Sequence, residues 1–200
     1  MRIIVIGATG TIGAAVADEL SARHDVVRAA RRGDVRVDMD DPASLDALFD
    51  RVPDVDAVVC CAASGRLTPL GDPSEAEFLH GLEGKLLGQV RLVRAALGRL
   101  RDRGSITLTS GSFRVSGPGM AFGALINAGL AGFVGAAALE TPRGIRLNGV
   151  SPGWVAETLE KMGADGTGGV RVAELARVYA DLVEGDAHGL VVEPDGKPAL

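Results

Sequence analysis

The chain has 200 residues, enough for one domain with a sizeable core. Hydrophobic residues make up 46% and aromatics 4%, with 28 glycines, so close helix–sheet packing through small side chains is expected in place of an aromatic core. A net charge of −5 argues against a nucleic-acid surface, and no apolar run reads as long enough to span a membrane.

Arg2–Ile6 is a short, β-branched, almost wholly apolar run, which suits a strand buried on both faces of a parallel sheet. No signal peptide precedes it, so the N-terminus is expected to be mature as written. Gly7-Ala8-Thr9-Gly10-Thr11-Ile12-Gly13 follows at once, and Ala14–Leu20 then reads as a helix with Ile12, Val16 and Leu20 on one side. Strand, glycine turn and helix form a phosphate-binding device. The glycines bring bare backbone close to a pyrophosphate, and the helix N-terminus offers free N–H groups to it. The spacing is G-x-x-G-x-x-G, so the position between strand and helix carries more weight than the glycine pattern itself.

Asp25–Ala30 reads as the second strand. In a dinucleotide fold its end faces the adenosine ribose, where an acid would bind the 2′-hydroxyl and an arginine would suit a 2′-phosphate. Ala30 stands there, followed by Arg31 and Arg32, which points to NADP over NAD; two solvated arginines in a surface turn are the alternative. Val35–Val37 is a short third strand leading into Asp38-Met39, and Pro42–Phe49 a helix with Asp41 as N-cap and Pro42 at its first position. Val55–Ala62 is the fourth strand. It holds both cysteines, Cys60 and Cys61, which read as buried free thiols of a cytoplasmic protein. With His24, His80 and His188 they show no metal-ligand spacing, so no metal is expected.

Phe78–Leu100 reads as one long helix whose Gly81, Gly84 and Gly88 allow close approach of a neighbour, within or between subunits. Ser105–Thr109 is the fifth strand, with Ser110 at its carboxyl end, where α/β sheets place their chemistry. Ala121–Leu139 is a second long helix and Ile145–Val150 the sixth strand, ending in Ser151-Pro152-Gly153. Val172–Val183 is a helix, and Leu190–Val192 the last strand. Between them, Gly163–Gly169 suggests a small or mobile loop.

These pieces, with the block from Ala136 through Gly144-Ile145-Arg146-Leu147-Asn148-Gly149-Val150-Ser151-Pro152-Gly153, resemble the short-chain dehydrogenase/reductase family over essentially the whole chain. The resemblance implies a single doubly wound Rossmann-type α/β domain over residues 1–200, with a mostly parallel sheet of about seven strands binding NAD(P)(H) along its carboxyl edge. It implies that Gly7, Thr9, Gly10, Thr11, Ile12 and Gly13 hold the pyrophosphate, and that Asp38 contacts the adenine with Met39 beside it. Cys61, Ala62 and Ala63 would pass near the adenosine ribose. Pro152, Gly153, Val155 and Thr158 would lie by the nicotinamide end, with Thr158 beside the amide or the pyrophosphate.

The family's chemistry uses Asn, Ser, Tyr and Lys, with Tyr as general acid or base beside a Lys that lowers its pKa. Ser110 fits the serine, but the Tyr-x-x-x-Lys positions hold Gly123 and Asn127. The single tyrosine, Tyr179, reads as core, and Phe113 and Phe122 cannot transfer a proton. The family's Asn position holds Lys85, one of only three lysines with Lys161 and Lys197, so Asn and Lys stand exchanged between the two helices.

Ser110, Lys85 and Asn127 are therefore the candidate catalytic set, with a solvated Lys85 as the alternative. The expected function is NADP(H)-dependent oxidoreduction of a small carbonyl compound; a protein that holds NADP(H) without turning it over is the second reading. A homodimer or homotetramer in the cytoplasm is expected, with no nucleic-acid or membrane partner. The segment after Gly153 is short for the family, which puts a large specific substrate pocket in doubt.

Overall fold

β1 (Arg2–Ile6) lies inside a seven-stranded sheet, and Ile3, Ile4, Val5 and Ile6 have no exposed surface because helices cover both of its faces. The structure is a computed structural model describing residues 1–62, 68–71, 74–76, 81–113 and 117–194. The other strands are β2 (Asp25–Ala30), β3 (Val35–Arg36), β4 (Ala57–Cys60), β5 (Ser105–Thr109), β6 (Arg146–Val150) and β7 (Val191–Val192). All pairings are parallel, in the order β3-β2-β1-β4-β5-β6-β7. The order reverses between β1 and β4, and that crevice is where such sheets take up ligands.

The helices are α1 (Thr11–Ser21), α2 (Pro42–Arg51), α3 (Gly88–Leu97), α4 (Ala121–Ala138), α5 (Ala156–Lys161) and α6 (Val172–Glu184). One face of the sheet buries Ile4, Ile6, Val58 and Leu108 against Leu45, Leu92 and Leu130 of α2, α3 and α4. The other buries Ile3, Val5 and Val59 against Val16 and Leu20 of α1 and Leu175 and Tyr179 of α6. Asp41 caps α2 as expected, its carboxylate accepting from the Ala43 N–H.

Two expectations are corrected. The described part of the long helix is not uniformly α-helical: Leu82–Leu87 forms a π-helical turn that runs into α3, while Phe78 lies outside the described residues. Gly84 and Gly88 serve contacts within the chain. A Cβ on Gly84 would fall 2.7 Å from Asp40 Oδ1, and one on Gly88 2.7 Å from the Met39 carbonyl oxygen, so these two glycines face their own subunit. An apolar run of membrane-spanning length does exist: α4 has 18 residues of mean hydropathy 1.6. Its Ile126, Leu130 and Val134 are nonetheless buried in the core beside the sheet.

The segment after Gly153 holds a short helix, and of the two readings of Gly163–Gly169, small or mobile loop, the structure gives the small one. It contains α5 and a 3₁₀ turn, Gly166–Gly168, with Gly166 buried and the Asp165 carboxylate accepting from the Thr167 N–H. Val155 bridges to Val170 and Val172 N–H donates to the Glu157 carboxylate at the start of α5, while Arg171 pairs with Glu160 toward its end.

Candidate cofactor and active site

The phosphate loop forms because its glycines have no substitutes. Gly7 has φ +82° and packs on β4, where a Cβ would come 2.7 Å from the Ala62 nitrogen. At Gly13 a Cβ would fall 2.2 Å from the Gly7 carbonyl oxygen, so only glycine lets the turn fold back onto α1. The N–H groups of Gly7 and Ala8 donate to the Ala29 carbonyl and tie the loop to the end of β2. Gly10 is the N-cap of α1, no side chain caps the helix, and its first turn carries no acid, so its end is free for an anion. The loop is thus a cradle that suits the pyrophosphate of a dinucleotide.

The remaining sequence-selected residues line the same carboxyl edge. Arg31 and Arg32 are exposed just past β2, Asp38 and buried Met39 follow β3, and Cys61 and Ala62 follow β4. Asp38 is held by its backbone N–H donating to Ser44 Oγ and its carboxylate accepting from the Asp40 N–H. Pro152 is buried, Gly153 has φ +62°, and Val155 and Thr158 sit at the start of α5. Ala63 lies outside the described residues.

Past β5 the structure brings the three candidate catalytic side chains together. Lys85 Nζ donates to Asn127 Oδ1 at 2.7 Å, and Ser110 Oγ donates to the Asn127 backbone carbonyl at 3.0 Å. Lys85 is carried by the π-helical turn and is partly buried, and desolvation lowers its ammonium from 10.5 to about 8. Gln89, fully buried, donates to the Lys85 and Thr109 carbonyls and accepts from the Thr109 N–H, locking the turn to the end of β5. Gly111 lets the Asn127 amide lie close, since a Cβ there would meet Nδ2 at 2.9 Å.

The position where the resemblance puts the family tyrosine, Gly123, is not open space. A Cβ on Gly123 would fall 2.9 Å from the Phe113 ring, so Phe113 packs where a side chain at position 123 would begin. Tyr179 is core, as expected. Thr109 Oγ1 gives its one proton to the Cys60 carbonyl at 2.5 Å, so the Tyr179 hydroxyl donates to Thr109 Oγ1 at 2.6 Å, and burial holds its pKa far above the ordinary value.

Two adjoining clefts of about 530 and 230 Å³ open at this edge. Both are lined by Ser112 and Glu193; the smaller also takes in Ser110, Phe113 and Asn127, the larger Gly153, Trp154 and Thr167. Ser112, Glu193, Phe113 and Gln89 escape sequence reading because their roles depend on neighbours far along the chain. Thr167, Gly168 and Gly169, from the segment after Gly153, help to wall the larger cleft.

A sequence model of the family described as enoyl-(acyl carrier protein) reductase matches residues 3–179. No curated protein matches the sequence. Among solved structures, the protein lin1944 from Listeria innocua is similar over 96% of this chain and 98% of its own, with 34% identity and a TM-score of 0.91. A small-chain dehydrogenase is 25% identical over 96% of this chain and 95% of its own, with a TM-score of 0.83. A short chain dehydrogenase from Burkholderia cenocepacia J2315, solved with NADP, shares the fold at 23% identity over 96% of this chain and 95% of its own, with a TM-score of 0.83.

Proposed function

The chain belongs to the short-chain dehydrogenase/reductase family, and from that premise we propose that it is an NADP(H)-dependent oxidoreductase acting on a small carbonyl compound. The observation that carries the reading is the cradle from Gly7 to Gly13 opening α1 beside the β1/β4 switch point. The fold it shares with proteins solved with NADP and NADPH supports the same cofactor class.

Gly7, Thr9, Gly10, Thr11, Ile12 and Gly13 would hold the pyrophosphate. Arg31 and Arg32 would pair with the 2′-phosphate, and the absence of an acid at Ala30 removes the competing preference for a ribose hydroxyl. Asp38, Met39, Cys61, Ala62 and Ala63 would border the adenosine half, and Pro152, Gly153, Val155 and Thr158 the nicotinamide half. When bound, the cofactor would supply or accept the hydride.

The proton falls to the chain itself. Lys85 Nζ, with its pKa lowered to about 8, holds a proton at neutral pH that it can release to a substrate oxygen, and Asn127 Oδ1 fixes the ammonium that does so. Ser110 gives its own proton to the Asn127 carbonyl, so it reaches a substrate as a donor only after its hydroxyl rotates.

We also place the protein as a cytoplasmic homodimer or homotetramer. Cys60 and Cys61 are free thiols. α4 leaves Ala121, Leu125, Gly132 and Ala136 exposed along one stripe, an apolar face that suits a second copy of the chain. Titration of NADPH fluorescence, followed by NADPH oxidation with a panel of aldehydes, ketones and quinones, tests the functional reading. Saturable binding with turnover supports it. Binding without oxidation above background leaves a protein that holds NADP(H) without using it, and no binding removes both readings.

A further inference from the structure

Lys161 closes α5, and its Nζ donates to Thr11 Oγ1 at 2.8 Å across 150 residues of sequence. Thr11 is the first residue of α1, so the ammonium stands against the positive end of that helix. Lys161 is solvent-exposed, so the opposition is screened, yet that helix end offers a cation no attraction of its own. The first turn of α1 has no acid, and among the described residues no carboxylate pairs with Lys161. The acids nearest to it in sequence are engaged elsewhere, Glu157 and Glu160 by Arg171 and Asp165 by Thr167. The C-terminal turn of its own short helix favours the charge, whereas the α1 terminus opposes it. Two positive ends facing one another around a glycine cradle are relieved by an anion between them.

We infer that Lys161 is a second clamp on the cofactor pyrophosphate: it reaches from α5 over the phosphate loop and binds the anion opposite the N–H groups of α1. The inference rests on the dinucleotide reading above. It gives α5 a task that its sequence does not advertise. The helix is anchored by the Val155–Val170 bridge and by Glu157 and Glu160 on Arg171, and it carries the lysine to the loop. The pyrophosphate is common to both nicotinamide dinucleotides, so this contact adds affinity without choosing between them. Arg31 and Arg32 act at the other end and do choose.

The test titrates NADPH and NADH into the wild type, Lys161→Met and Lys161→Arg by cofactor fluorescence, at low and high salt. Lys161→Met is expected to weaken both cofactors about tenfold or more at low salt, with a shallower salt dependence, while Lys161→Arg stays within about threefold of wild type. The unfolding midpoint of cofactor-free Lys161→Met is expected to equal or exceed that of the wild type, because an opposed charge has been removed. Cofactor affinities that Lys161→Met leaves within twofold overturn the clamp. A loss confined to NADPH assigns the lysine to the 2′-phosphate and overturns it, and a lower cofactor-free midpoint marks a structural strut and overturns it as well. A wild type that binds neither cofactor removes the dinucleotide reading itself, an outcome distinct from a wild type that binds and a variant that binds equally well.

Discussion

The Lys85 ammonium donates to Asn127 Oδ1 at 2.7 Å, joining the π-helical turn before α3 to the buried face of α4 beside Ser110. One ammonium and one amide meet, with each on the helix where the family carries the other. A π-turn is costly in isolation and clusters at functional sites. Here it holds Lys85, and the Gln89 side chain locks it to Thr109.

The lowered pKa of Lys85 has a sign that can be measured. Below about pH 8 the folded and unfolded chains both hold the proton, and the cost of burying it is fully present. Between about 8 and 10.5 the unfolded chain keeps a proton that the folded chain has released, so stability from this group rises with pH. Relative to Lys85→Met, the wild type is expected to gain about 1–3 kcal/mol between pH 7 and 10, after discount for partial exposure. Denaturant unfolding of both proteins across that range checks it. A constant difference would mean that Lys85 titrates as a surface lysine.

Cofactor choice rests on Arg31 and Arg32 beyond Ala30. Arg31→Ala combined with Arg32→Ala is expected to weaken NADPH by about 1.5–3 kcal/mol and to leave NADH unchanged. Equal affinities of the wild type for NADPH and NADH, measured by the same titration, would refute the preference.

Restoring the family tyrosine by itself is expected to fail. Gly123→Tyr drives a Cβ to 2.9 Å from the Phe113 ring, an overpacking that costs about 1–3 kcal/mol. Phe113→Ala is expected to relieve most of that cost in the double variant. Thermal unfolding of the single and double variants decides it, and additive losses would show that Phe113 does not fill that space.

The assembly proposed above rests on α4 alone, since Gly84 and Gly88 face Asp40 and Met39 of their own chain. Light scattering is expected to give a dimer or tetramer at micromolar concentration, and Leu125→Glu, on a residue 54% exposed in the isolated chain, is expected to shift it to monomer. A wild-type mass of 20.5 kDa would refute the interface.

The strands were legible because each states its burial in its own residues: Arg2–Ile6 and Ser105–Thr109 stand with the bounds read from sequence. The Lys85–Asn127 exchange was legible too, since resemblance put the two residues on facing helices. The π-turn was not, because Leu82 and Leu86 keep an ordinary helical spacing and nothing local marks the extra residue. α5 was not legible either. It is six residues long, buries only Ala156, and is held by Arg171 and Val170 from beyond the following turn. Glycine spacing announced close approach at Gly88 but not its object, the Met39 backbone.

In the NADP(H)-dependent reaction proposed above, Lys85 does the proton work that the resemblance gives to a tyrosine. The most direct measurement is NADPH oxidation by wild type and Lys85→Met across pH 6–10, using the best carbonyl substrate of the panel and saturating NADPH. Turnover is expected to fall as pH rises past about 8, with a loss of about 10²–10⁴-fold in Lys85→Met and NADPH affinity retained. Equal turnover and an unchanged pH profile in Lys85→Met would contradict it.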